Sequence, residues 1–136
     1  MKKQYLLLII AAIFLSSCDI NIYDDPYDPR LNFVGAYEAE EYSETFDVLT
    51  VFELEILMDD DPFSNFIYLR NFYGYSIEVF ARVDGNRFTI PRQETAGLII
   101  EGTGSLNGGE VVMTYSVQDL RSSRANTDFC NTILFR

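Results

Sequence analysis

From Phe33 onward, apolar residues recur at every second position, and turn-forming residues cut the runs before any reaches a convincing helical length. A period of two places successive side chains on opposite faces of a strand, whereas a helix buries residues at a period near 3.6. The pattern predicts strands over Phe33–Glu41, about Phe46–Met58, Asn65–Phe72, a fourth spanning Ile77–Val83, Arg87–Pro91, Gly97–Leu106, a seventh spanning Val111–Val117, and Asp128–Arg136. In the second, Phe46, Val48, Phe52, Leu54, Ile56 and Met58 share one face, and Asp59-Asp60-Asp61-Pro62 ends it. In the fourth, Ile77, Val79, Ala81 and Val83 oppose Glu78 and Arg82. Asp84-Gly85-Asn86 and Asn107-Gly108-Gly109 carry hairpin chemistry. Asp119–Thr127 reads as a loop, and Val117–Ala125 is the best place for a short helix.

Eight strands joined mostly by short turns form an antiparallel up-and-down meander. An open, twisted meander leaves two unpaired edges, which closure into a small barrel removes. Gly97, Gly102 and Gly104 allow the bending that closure needs. The expected class is therefore all-β, a closed barrel over residues 33–136, with a β-sandwich as the alternative.

The segment before the first strand has a different character. Lys2 and Lys3 precede an apolar run from Tyr5 to Leu15, followed by Ser16, Ser17 and Cys18. That run falls short of the ~20 residues needed to span a bilayer as a helix, but it suits the apolar region of an export leader. Small residues directly before a cysteine make residues 1–17 a lipoprotein signal peptide and Cys18 the lipidated residue, carrying acyl chains such as palmitate. Two or three chains are needed for firm anchoring, at ~0.8 kcal/mol per buried methylene. The plain alternative is a secreted protein whose cysteine stands there by chance. Residues 18–32 are expected to be an acidic tether, because Asp19–Arg30 holds two prolines and four aspartates. Acidic residues just behind the cysteine resemble signals that carry some Gram-negative lipoproteins to the cell surface. The expected location is the outer membrane, by lipid anchor.

Cleavage before Cys18 takes the ten basic residues to eight, all arginine, against 21 acidic ones, a net charge of −13. Such a surface argues against nucleic acid, whose phosphates need a basic patch. An apolar content of 48% supports a packed core. With Cys18 committed to lipid, Cys130 has no intramolecular partner and reads as a small buried hydrophobe.

Phe33-Val34-Gly35-Ala36-Tyr37, the run Val79–Gln93 with Gly85-Asn86 and Ile90-Pro91-Arg92-Gln93, Glu101–Gly109 with its spaced glycines, and Thr114–Val117 occur in a characteristic order. Together they resemble the motifs of small lipocalin-like (calycin-like) bacterial lipoproteins over most of Phe33–Val117. The resemblance implies a lipid-tethered β-barrel and transfers no catalytic motif. Members often carry a cysteine soon after the first strand; Glu38–Thr45 has none, so no disulfide follows for Cys130.

No residue set demands an enzyme. Asp59-Asp60-Asp61 lacks the ligand spacing of a calcium loop and reads as a charged turn. Gly102, Gly104, Gly108 and Gly109 precede no helix and no P-loop lysine. Glu53 and Glu55 fall on the outward face of their strand, and the chain has no histidine to serve as a general base. No catalytic, metal or cofactor residues are expected. Phe63, Phe66, Tyr68, Phe72, Tyr73 and Tyr75 cluster around the third strand, and Phe66, Tyr68, Phe72 and Tyr75 are the candidate lining of a barrel mouth. Packing explains the same aromatics. Leu49 and Val51, if exposed, mark a protein-contact patch. Two readings follow: a lipid-anchored, non-catalytic module that meets an envelope protein, or a lipocalin-like carrier of a small hydrophobic ligand. A barrel filled by side chains favours the first, and an open aromatic cavity the second.

Overall fold

An inward-facing apolar run needs a second apolar layer, and a chain of such runs obtains one by curling onto itself. The computed structural model describes residues 26–124 and 126–136. It contains β1 (Gly35–Ser43), β2 (Val48–Met58), β3 (Phe66–Phe72), β4 (Ile77–Asp84), β5 (Arg87–Thr95), β6 (Leu98–Asn107), β7 (Glu110–Asp119) and β8 (Thr127–Phe135). Each strand pairs antiparallel with the next. β8 returns to β1 from Glu38↔Phe135 to Ser43↔Cys130, closing the barrel. The closed barrel, rather than the sandwich, is the arrangement adopted. The leader, Cys18 and residues 19–25 lie outside the described residues.

Period-two alternation translates directly into faces. In β4, Val79, Ala81 and Val83 are buried while Glu78, Phe80 and Arg82 are exposed. In β7, Val111, Met113, Tyr115 and Val117 all point inward. Phe33, Phe72, Phe88, Leu54, Ile56, Leu69, Ile100 and Met113 are among the fully buried side chains that fill the interior. Phe88 packs edge-on to Phe33, with ring centroids 5.2 Å apart. Room for that ring comes from Gly104, where a Cβ would stand 2.1 Å from Phe88 Cζ. Gly102 likewise brings β6 against the main chain of β7, since its Cβ would lie 2.6 Å from the Thr114 carbonyl oxygen.

Three local features differ from expectation. Phe46 and Val48, predicted on the inward face of the second strand, are exposed: Phe46 lies in the β1–β2 turn, and β2 begins only at Val48, past the packed core; Met58 is exposed at the other end of β2. No helix forms in the described part of Val117–Ala125; β7 continues to Asp119 and the chain then turns. β5 extends beyond Pro91 to Thr95. Proline is tolerated there because β4–β5 pairing stops at Arg82↔Thr89 and the β5–β6 register shifts between Ile90 and Gln93. The Gln93 side-chain amide then takes the place of a ladder strand. Its Oε1 accepts from the Phe80 N–H at 3.0 Å, and its Nε2 donates to the Phe80 carbonyl at 2.8 Å.

The two ends of the barrel are unlike. At one end, the last residues of the segment expected to be tether form a 3-10 turn, Pro29–Asn32. Arg30 is buried to 1% exposure. It pairs with Asp28 at 2.7 Å and donates from Nη1 to the carbonyls of Asp59 and Asp61, at 3.3 and 3.2 Å. The Asp59-Asp60-Asp61 run is thus part of the β2–β3 turn, clamped through its main chain. Arg136, just past β8, fastens the Pro29–Asn32 turn, donating to the Asn32 and Val34 carbonyls at 3.1 and 3.2 Å and to the Tyr37 hydroxyl at 2.9 Å. This is the closed end. The opposite end, with the β1–β2, β3–β4, β5–β6 and β7–β8 connections, is the mouth.

Candidate functional site at the barrel mouth

Four inward positions near the mouth are polar: Glu41 and Ser43 on β1, Asp128 and Thr132 on β8. Closure of β1 against β8 sets them side by side, with Cys130 between the two β8 residues. Glu41 and Asp128 are each only 4% exposed. Glu41 Oε2 accepts from the Tyr115 hydroxyl and from Thr132 Oγ1, the latter at 3.3 Å. Asp128 accepts from Ser43 Oγ and, at 2.7 Å, from the Tyr73 hydroxyl. Ser43 Oγ in turn accepts from the Phe46 N–H at 3.1 Å. Among the described residues, no buried side-chain polar atom lacks a hydrogen-bond partner.

Charge sets this cluster apart. Among the described residues, neither carboxylate makes an ion pair with an arginine. Burial, helped by the nearby Asp128 charge and opposed by the hydrogen bond from Thr132, pushes the Glu41 carboxyl up to about 7. Burial also raises the Cys130 thiol, with the Glu41 and Asp128 charges acting in the same direction. A thiol held protonated is a poor nucleophile. Tyr73 is raised by burial and by its bond to Asp128.

Two recesses open over this polar floor. One, about 290 Å³, is lined by Phe46, Tyr73, Tyr75, Leu98, Val117, Asp119, Ser122, Arg124, Asn126 and Asp128. The other, about 320 Å³, lies sideways between β2 and the β3–β4 turn, against Glu41, Ser43, Phe46, Val48, Thr50, Tyr73, Tyr75 and Asp128. Among the described residues, those other than glycine with left-handed φ (50° to 58°) are Asp47, Asn71, Tyr73, Ser76 and Ala96, and all stand in the mouth connections or just before one. Such conformations are held only where the surroundings dictate them, and they concentrate at functional sites.

The four aromatic candidates do not converge. Phe66 and Tyr68 are half-buried on the outer wall, with Phe66 edge-on to Phe80 at 5.7 Å. Phe72 is fully buried against Tyr115, centroids 4.5 Å apart. Tyr75 alone lines the mouth recess, beside Tyr73 at 4.8 Å. Phe63 is exposed in the β2–β3 loop at the closed end. Glu53 and Glu55 stand on the outer face of β2, as expected. Leu49 and Val51 are 64% and 55% exposed. Glu41 and Asp128 carry the mouth's chemistry without having been singled out, although an acid in the inward phase of Tyr37-x-Ala39-x-Glu41-x-Ser43 was a visible signal. No family model, curated protein or solved structure matches the chain.

Proposed function

We propose that this protein is a lipid-anchored envelope lipoprotein of the lipocalin-like kind whose barrel is a non-catalytic interaction module. The observation that carries the reading is the filled interior: Phe33, Phe72, Phe88, Met113 and their neighbours occupy the barrel axis where a carrier would hold its cargo. The leader ending in Ser16-Ser17-Cys18 supports the anchor. The chain enters the barrel at the closed end, through Asp28 and the Pro29–Asn32 turn. Lipid on Cys18 therefore sets that end toward the bilayer and the mouth away from it, toward whatever the module meets.

Metabolic labelling with a palmitate analogue tests the anchor. The wild-type chain is expected to label and to partition with membranes, and Cys18→Ala to abolish both. Unlabelled wild-type protein would overturn the reading. The carrier reading keeps one foothold, the aromatic mouth recess of about 290 Å³, at the small end of ligand pockets. A small hydrophobic molecule would have to sit there rather than along the axis.

A further inference from the structure

Barrel closure leaves one stretch of β2 without a neighbour. β2 pairs with β1 along Val48–Ile56, but with β3 only at Glu55–Met58. β3 veers off at Asn71, where φ is 57°. Asn71 then closes the gap for one residue only, its Nδ2 donating to the Glu53 carbonyl at 2.6 Å. Main-chain groups alternate sides along a strand. If those of Glu53 face the gap, so do those of Val51 and Leu49, and no donor or acceptor meets them among the described residues. From Val48 to Phe52 this edge holds no charge, proline or bulge, the devices that normally protect an edge.

We propose that the free edge of β2 at Leu49–Val51 takes an extended segment of another envelope protein as an added strand. The segment carries apolar side chains outward and a Lys or Arg inward, over Glu41 and Asp128. This rests on the interaction-module reading and names the partner's chemistry. Outward, Leu49 and Val51 lie beside the half-exposed Tyr42, offering apolar contact. Inward, a residue opposite Thr50 points into the lateral cleft of about 320 Å³. Thr50 is the cross-strand partner of Glu41, so that residue stands two strand spacings, about 10 Å, from Glu41. A lysine or arginine side chain spans that distance and supplies the cation that the two buried carboxylates lack among the described residues. A second copy of this chain fits badly. It would bring Val48, Thr50 and Phe52 to the cleft instead of a cation.

The test is photo-cross-linking of the full-length protein in its own host, with a benzophenone amino acid at Val51 and, as a control, at Thr103 on the outer wall. The expected result is a Val51 adduct whose mapped segment alternates apolar residues with a Lys or Arg. Leu49→Pro should reduce it about tenfold, because it removes an N–H that faces the gap while leaving the thermal melt in place. Leu49→Lys provides the second variant should Leu49→Pro fail to fold, and Glu41→Gln should weaken the same adduct. An adduct with a second copy, or one indifferent to these variants, overturns the proposal. An adduct at Thr103 alone overturns it while leaving an interaction module. Adducts at neither position count against both.

Discussion

At Glu41, burial and charge oppose each other. It is buried beside Asp128, Cys130, Tyr73 and Tyr115 with no counter-cation among the described residues, and its carboxyl is held up at about 7 against an ordinary 4.5. A carboxyl whose folded pKa is raised binds its proton longer in the folded state than in the unfolded one. Its contribution is therefore fully present below pH 4.5 and is lost as pH rises through 7. Glu41→Gln keeps the shape and removes the charge. It should stabilise the protein at pH 8 by about 1–3 kcal/mol and flatten the decline in stability between pH 5 and 7, as read by urea melts across that range. At Gly104 the issue is space instead of charge. A methyl group there meets the Phe88 ring, itself locked against Phe33, so Gly104→Ala should destabilise by about 1–3 kcal/mol in the same melts.

Elements show what the sequence could and could not disclose. The faces of β4 and β7 were legible because each strand has one wet side and one dry side, and alternation records that directly. In β8 alternation misleads, since Asp128 and Thr132 point inward while Phe129 and Ile133 are exposed. Turn positions were legible from Gly85-Asn86 and Gly108-Gly109 for a similar local reason. The mouth cluster was not, since Ser43 and Asp128 are 85 residues apart and meet only through the closing β1–β8 pair. Nor was the gap beside β2, because it arises from the path of β3 and not from any residue in β2 itself. Pro91 was read as a strand end because Gln93, which repairs the ladder behind it, acts through its side chain. Gln93→Ala should destabilise by about 1 kcal/mol and speed exchange of the Phe80 amide hydrogen. At the closed end, Arg30 bonds to Asp28 and to two carbonyls of the β2–β3 turn. Arg30→Ala leaves those acceptors without their donor and should destabilise by about 2–4 kcal/mol, seen as a lowered urea midpoint.

For the molecule as a whole, the asymmetry of the ends is the organising fact. The N-terminal turn, Arg30 and Arg136 seal one end, and the strained connections, aromatic recess and buried carboxylates gather at the other. On the function proposed above, an anchor entering at the sealed end would present the mouth outward, and the filled axis would leave surface and edge as the means of contact. Native mass spectrometry of the full-length protein from its own host, released in mild detergent, tests this account most directly. It predicts the mass of residues 18–136 plus an acylated diacylglyceryl cysteine, with no further small molecule retained. An unlipidated chain, or a hydrophobic ligand that stays bound through desolvation, would contradict it.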